Sequence, residues 1–446
     1  MKYDLAIIGG GPAGYTAAFK AVENGLGVIL FEKDKIGGTC LNRGCIPTKS
    51  LLHSAVAYEK LDKLAEIGIS VSDKSFDYGA VLNRKSNVVD TLRSGIEKGL
   101  KSKKITLVNG KAVITGNNKI ECNDEEYEAD NIVICTGSTV ALPPIEGIEL
   151  AITSDDILEK DAGLADSLTI IGGGVIGLEI ASVYLSLNKK VTILEMAEQL
   201  IPNMDKELAT RISVYLKKKG AEIVTKAQVK KIENTAEGKL TTYLDKNGNE
   251  KTVLSKEVLC ATGRKANVSG LFNNIEVTIN RGIVTDENYE TNVKGIYAIG
   301  DCRSGNIQLA HTAMAQARNV IDVISGNKKS VDDRLIPSCV YTDPEMASVG
   351  LAESQAKEQG INVITKKTLT GANGKCLIEQ ADSGYLKLII NGDNEQIIGA
   401  QLICEDATNL IGELAVVIQK KMTVEELREV VHPHPTIVEM IADCIN

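Results

Sequence analysis

The sequence predicts an α/β fold with two copies of a parallel strand–turn–helix–strand unit, completed by an α+β unit at the C-terminus. Three observations predict it. A glycine-rich segment, Leu5-Ala6-Ile7-Ile8-Gly9-Gly10-Gly11-Pro12-Ala13-Gly14, returns as Leu168-Thr169-Ile170-Ile171-Gly172-Gly173-Gly174-Val175-Ile176-Gly177. Each copy then passes through a helix of apolar periodicity to a second apolar strand ending in an acid, Glu32 or Glu195. From the first motif glycine to that acid is 23 residues in both copies, Gly9 to Glu32 and Gly172 to Glu195. Finally, beyond about residue 335 there is no glycine motif, and strand-like segments give way to helical ones, the alternation of an α+β unit.

Each element follows in order. The apolar runs Leu5 to Ile8 and Val28 to Phe31 read as strands buried on both faces. Asn131-Ile132-Val133-Ile134-Cys135-Thr136-Gly137 and Val258-Leu259-Cys260-Ala261-Thr262-Gly263 match each other, each a short strand ending in a Thr-Gly crossover. Gly295-Ile296-Tyr297-Ala298-Ile299-Gly300-Asp301 reads as a return to the first sheet, with a helix over 312–325. The polar break at 326–334 precedes predicted strands at 385–390 and 396–403 and helices at 408–420 and 424–430. The resulting division is 1–140 with 264–334 as one discontinuous domain, 141–263 inserted as a second, and 335–446 as a third.

At 446 residues the chain is too long for a single core, and two to four domains are expected. A hydrophobic content of 43% suits an α/β enzyme rather than a disordered chain. The net charge of −9 argues against general nucleic-acid binding and gives no attraction to an anionic membrane. No apolar run approaches the roughly 18 residues of a spanning helix. Asp4 and the glycines make the N-terminus a strand rather than a signal peptide, so a cytoplasmic protein is expected.

The glycine pattern explains two binding sites. Gly9, Gly11 and Gly14 permit a tight turn, close approach of backbone to a pyrophosphate, and close helix packing. The helix N-terminus then meets the phosphate with free N–H groups and its dipole. Glu32 would bond the adenosine ribose. Gly172, Gly174, Gly177 and Glu195 repeat the arrangement. A carboxylate at Glu195, with no Arg or Lys in 196–202, favours NAD over NADP. A glycine-rich turn also occurs in packed α/β units that bind nothing; strand, helix, spacing and acid together weigh against that.

Ten cysteines do not make a disulfide scaffold here, and eight are scattered as small core residues. Cys40 and Cys45 differ, because they lie within the first nucleotide unit. Five helical steps rise about 7.5 Å, whereas a disulfide needs Cα atoms within about 7 Å. The segment must therefore bend, or use a distorted first helical turn, when oxidised, and a strained short bridge is readily reduced. A zinc half-site or two free core thiols are the alternatives, though only His53 lies near. Two nucleotide sites and one dithiol suggest a nicotinamide–flavin–disulfide relay, with FAD beside the cysteines. Thiol exchange also needs a base. His432-Pro433-His434-Pro435, with Glu439 five residues after His434, offers one, though a turn of this kind is more often structural. His53 and His311 have structural readings only.

Gly-Gly-Thr-Cys-Leu-Asn-Arg-Gly-Cys-Ile-Pro-Thr-Lys at 37–49 resembles the redox signature of the pyridine nucleotide-disulfide oxidoreductases, and within them the dihydrolipoamide dehydrogenase branch. The resemblance extends through Ala261-Thr262-Gly263-Arg264, Gly300-Asp301, Tyr341-Thr342-Asp343-Pro344-Glu345 and His434-Pro435-Thr436. It implies two Rossmann-like FAD/NAD(P)-binding domains, a C-terminal dimerisation domain, and a homodimer with one FAD per subunit. Cys45 would face the flavin, Cys40 would meet the substrate, and His434 with Glu439 would be the base supplied across the dimer. Lys49 would lie by the flavin, paired with Glu179. Gly38, Thr39, Thr136, Gly137, Asp301 and Ala310 would border FAD, and Gly110 and Ala112 would lie near its adenosine. Val229 and Gly263 would line the NAD site. No metal is implied. Pro433 stands where relatives often carry a small residue. No lipoyl domain precedes the first strand, so the lipoyl group is expected on a partner protein of a 2-oxoacid dehydrogenase, acetoin or glycine cleavage complex. The rivals are a glutathione-type reductase, which would want a basic clamp after the second motif, a mercuric reductase, which would want a C-terminal cysteine pair, and a non-catalytic flavoprotein subunit.

Overall fold

β1 (Lys2–Ile8) is the centre of the first sheet in the computed structural model, which describes residues 2–159, 162–381 and 383–446. It pairs in parallel with β2 (Val28–Glu32), Leu5 opposite Val28. Between them α1 (Pro12–Glu23) begins with proline at its first position, where no N–H is needed. Its buried face is Ala13, Ala17, Ala18 and Ala21, small enough to lie close on the sheet. α2 (Gly38–Arg43), α3 (Cys45–Lys60) and α4 (Tyr78–Ser102) follow, α4 being capped by the Asp77 carboxylate, which accepts from Ala80 N at 2.9 Å. β3 (Thr106–Asn109) extends the parallel sheet, and β4 (Val113–Gly116), β5 (Lys119–Cys122) and β6 (Glu125–Ile134) form an antiparallel meander at its other side, giving the order β3-β2-β1-β6-β5-β4. The strand Ile296–Ala298 returns to pair with β6, Ile296 opposite Ile132.

Immediately after Thr136-Gly137, β7 (Ser138–Val140) leaves the first sheet. β8 (Ile152–Thr153) and α5 (Ser154–Ile157) lead to β9 (Ser167–Ile171), α6 (Val175–Ser186) and β10 (Lys190–Glu195), the second copy of the unit. α7 (Lys206–Lys218) and β11 (Glu222–Thr225) follow. The meander β12 (Gln228–Asn234), β13 (Lys239–Leu244) and β14 (Glu250–Ser255) forms its own sheet. β15 (Glu257–Cys260) closes the parallel sheet in the order β11-β10-β9-β15-β8. β16 (Arg264–Ala266) pairs antiparallel with β7, so the two Thr-Gly crossovers join in one ribbon. α6 is buried at every position from Gly177 to Ser186, because the sheet covers one face and α3 the other.

β17 is the returning strand Ile296–Ala298, and α8 (Ala310–Ile324) packs on α1. The C-terminal unit is a five-stranded antiparallel sheet, β18 (Ser338–Val340), β19 (Glu345–Gly350), β20 (Val363–Leu369), β21 (Tyr385–Asn391) and β22 (Ile397–Cys404), in the order β18-β19-β22-β21-β20. The helices 407–419, 424–428 and 439–445 cover it. Leu386, Leu388, Leu402, Leu414, Met440 and Ile441 are fully buried between sheet and helices, each contributing about 1.5–3 kcal/mol of apolar burial. The predicted strands and helices of this unit thus fall within one or two residues of the observed ones. Among the described residues no helix is long and apolar enough to cross a membrane.

Candidate active site

The two glycine turns superimpose in their details. Gly9 and Gly172 have φ of +107° and +109°, a region closed to residues with a Cβ. A Cβ on Gly14 would lie 1.8 Å from the Gly9 carbonyl oxygen, and one on Gly177 would lie 2.2 Å from that of Gly172. Only glycine lets each helix start so close beneath its turn. Gly11 and Gly174 are the N-caps, neither helix has a side-chain cap, and neither has an acid in its first turn. Their first-turn amides are therefore left for an anion.

The acids close each turn from behind. Glu32 accepts from Gly10 N at 2.7 Å and Asp34 N at 2.8 Å. Glu195 accepts from Gly173 N and Ala197 N, both at 2.6 Å. The sequence suggested a ribose contact for these acids; the structure adds that they also fix the turn. A carboxylate keeps further lone pairs for a hydroxyl.

One cavity of about 2050 Å³ runs past both turns and both cysteines. Glu32, Gly110 and Ala112 border it beside the first turn, where Gly110 N donates to Glu32 O at 2.8 Å. Gly38, Thr39, Thr136, Gly137, Asp301 and Ala310 border it near the cysteines. Glu179, Glu195, Val229 and Gly263 border it beside the second turn, together with Gly172 and Gly174. Gly14 and Gly177 lie beneath the turns instead. The Thr136 hydroxyl is buried at the wall of this cavity, beside the Cys302 thiol. The volume and the uncapped amides at both turns fit two dinucleotides, FAD at the first turn and NAD at the second.

Sequence reasoning missed the link between these parts. The Arg264 guanidinium donates from Nε to Ser138 Oγ at 2.8 Å, and Ser138 Oγ donates to Asp301 Oδ2 at 2.7 Å. Arg264 Nη2 also donates to Ser138 O at 2.8 Å. Burial pushes the Asp301 carboxyl up, opposed by Ser138 and Arg264. The Arg264 in the recognised Ala-Thr-Gly-Arg run was the available signal.

The cysteine segment bends as the spacing requires. α2 ends at Arg43, Gly44 breaks the path with φ −142° and ψ −114°, and α3 starts at Cys45. The Asn42 amide pins the approach by donating to Ile36 O at 3.0 Å and Gly38 O at 2.9 Å. Both thiols are free and partly buried. A hydrogen bond from Cys40 lowers the Cys45 thiol to about 7, with burial opposing and Lys49 assisting. Cys40 moves well up, through the same hydrogen bond and burial. Cys45 is also the first residue of a 16-residue helix, a position that favours a thiolate. Among the described residues no group of three metal-ligating side chains forms around the pair.

Lys49 lies one turn after Cys45 on α3. Its Nζ meets Glu179 Oε1 and Oε2 at 2.8 and 2.7 Å, joining α3 to α6. Tyr341 N donates to the same Glu179 Oε1 at 3.1 Å. The pairing read from the sequence is thus present, and Tyr341 is an addition to it.

His434 and Glu439 form a unit of their own. His434 Nδ1 meets Glu439 Oε1 at 2.9 Å, while Glu439 Oε2 accepts from Thr436 N at 2.8 Å. The Thr436 amide, then His434, hold the Glu439 carboxyl below its ordinary value. The His434 side chain is 80% exposed and does not border the cavity. Within one chain the structure does not bring this pair to the cysteines. His432 is buried against Glu413 at 2.9 Å and reads as structural.

A dithiol at a helix start, set between two uncapped glycine turns in one cavity, defines a nucleotide-dependent thiol oxidoreductase. The family model for pyridine nucleotide-disulphide oxidoreductases matches residues 3–317, and the model for that family's dimerisation domain matches residues 336–444. The chain belongs to the pyridine nucleotide-disulphide oxidoreductases. Among its relatives is the dihydrolipoyl dehydrogenase of Geobacillus stearothermophilus, 37% identical over 99% of this chain and 95% of that one. Another, from Bacillus subtilis (strain 168), is 36% identical over 99% of this chain and 95% of that one. Among solved structures, the HOCl-induced flavoprotein disulfide reductase RclA from Escherichia coli aligns with a TM-score of 0.89 and 28% identity, covering 99% of each chain.

Proposed function

We propose that this chain is a dihydrolipoyl dehydrogenase that oxidises a protein-bound dihydrolipoyl group with reduction of NAD⁺. The observation that carries this is the Cys40–Cys45 pair, split by Gly44 and placed in the cavity that both glycine turns border. The identities to dihydrolipoyl dehydrogenases over nearly the whole chain support the substrate class.

The reaction starts from the Cys40–Cys45 disulfide. His434 of the partner subunit takes the proton from one substrate thiol, with Glu439 fixing its tautomer through Nδ1. That sulfur attacks Cys40, and Cys45 leaves as a thiolate held by the start of α3 and by Lys49. The second substrate sulfur then displaces Cys40 and passes its own proton to the departing Cys40 sulfur, and the lipoyl disulfide closes while His434 of the partner subunit keeps the first proton. When bound, FAD supplies the ring that accepts the electron pair and returns it as hydride to nicotinamide. Gly9, Gly11 and Glu32, with Gly110 and Ala112, would hold its adenosine diphosphate part, and Asp301 and Ala310 would border the rest. Gly172, Gly174, Val229 and Gly263 would hold NAD, with Glu195 selecting a free 2′-hydroxyl.

A homodimer is required on this account, because His434 lies away from the cysteines of its own chain. We assign FAD binding to 1–140 and 264–334, NAD binding to 141–263, and the interface to 335–446. The lipoyl group would arrive on a protein of a 2-oxoacid dehydrogenase, acetoin or glycine cleavage complex. The eight cysteines outside the Cys40–Cys45 pair, scattered along the sequence, suit a reducing cytoplasm. The test is Cys40→Ser in the flavin-loaded enzyme. Loss of dihydrolipoamide-dependent NAD⁺ reduction with flavin retained is expected; unchanged turnover would refute the exchange.

A further inference from the structure

Lys49 faces two requirements that conflict. Its charge favours the Cys45 thiolate, while Glu179, which binds it through both carboxylate oxygens, disfavours that thiolate. A carboxylate alone would draw the flexible ammonium toward itself and cancel its field at the sulfur. The structure supplies a second attraction that carries no net charge. The Lys49 ammonium lies over the Tyr341 ring, 4.4 Å from its centroid, within the range of a cation–π contact. The Tyr341 amide occupies Glu179 Oε1 at 3.1 Å, taking up part of the carboxylate's capacity.

Tyr341 stands just after β18, in the C-terminal unit, and borders the cavity. We propose that Tyr341 is a positioning residue for the thiol exchange: its ring holds the Lys49 ammonium where it stabilises the Cys45 thiolate, so the C-terminal unit serves the redox site of its own subunit. This rests on Cys45 being the thiolate of that exchange. It is separate from the contribution of His434, which crosses to the partner.

The backbone N–H of Tyr341 survives any side-chain substitution, so variants isolate the ring. The experiment measures alkylation of Cys45 against pH in dithiol-reduced, flavin-loaded enzyme, for wild type, Tyr341→Phe, Tyr341→Leu, Tyr341→Met and Lys49→Met. Flavin absorbance and melting temperature report that each variant is folded. Tyr341→Phe keeps the ring and should match wild type. Tyr341→Leu and Tyr341→Met should raise the midpoint, with about two- to three-fold less thiolate near neutral pH, and Lys49→Met should raise it further. A wild-type midpoint in both Leu and Met variants, with Lys49→Met shifted, would overturn the role of Tyr341 alone. An unshifted Lys49→Met would overturn the proposal by showing that Lys49 does not act on the thiolate, whereas a wild-type Cys45 midpoint at or above the ordinary thiol value of about 8.5 would overturn the thiolate reading itself.

Discussion

Removing the Cys40 thiol should make Cys45 a weaker acid, and the size of the change follows from what surrounds the sulfur. The hydrogen bond from Cys40 is the largest influence lowering Cys45; burial, which raises it, comes next, ahead of Lys49. In Cys40→Ala the first is lost and burial outweighs Lys49. The midpoint should then rise from about 7 to above the ordinary thiol value of about 8.5. With its midpoint at about 7, about half of Cys45 would be thiolate at neutral pH, against about 3% at the ordinary value. The rate does not fall by the whole of that roughly fifteen-fold ratio, because a more basic thiolate is about five-fold more nucleophilic over such a range. The net loss at neutral pH is thus only about three-fold, and the midpoint is the sharper observable. Iodoacetamide labelling of the reduced enzyme reads it directly, since trypsin cuts after Arg43 and places the two cysteines on separate peptides. A midpoint still near 7 in Cys40→Ala would show that the start of α3 and Lys49 hold the thiolate unaided, and would refute the reasoning.

Three further outcomes are expected. Gly177→Ala places a methyl 2.2 Å from the Gly172 carbonyl oxygen, so it should destabilise the fold by about 2 kcal/mol or more in denaturant titration and weaken NAD binding while FAD is retained; full affinity would contradict the turn's role. Glu195→Ala strips acceptors from the Gly173 and Ala197 amides and should cost about 1–3 kcal/mol per buried amide left unpaired, with Glu195→Gln losing less and relaxing the preference for NAD⁺ over NADP⁺ in steady-state kinetics. Glu439→Gln keeps the Thr436 contact but removes the charge beside His434, so turnover should fall by about 10²-fold and its pH profile should lose the limb that depends on the base.

The parallel units were legible because they repeat. Two apolar strands, a turn closed to any Cβ and an acid at a fixed offset leave few alternatives, and the observed registers Leu5 to Val28 and Leu168 to Val191 match one another. The bend between Cys40 and Cys45 followed from helix rise alone. α3 and α4 were not anticipated, because their buried residues are sparse and interrupted by Lys85 and other polar groups. The Lys49–Glu179 pairing was legible only through the family resemblance, whereas the contact of Lys49 with Tyr341, far away in sequence, is created by packing alone. The Asp301–Ser138–Arg264 connection is hidden for the same reason. His434 was legible as half of a dyad with Glu439, while its distance from the cysteines of its own chain could only emerge from the fold.

The most direct measurement is an anaerobic absorbance titration of the flavin-loaded homodimer with dihydrolipoamide, followed by NAD⁺. A yellow protein whose spectrum changes as two electrons enter, and which then yields one NADH per reduced subunit, is the expected result. A colourless protein, or one whose spectrum dihydrolipoamide leaves unchanged while both cysteines are intact, would contradict it.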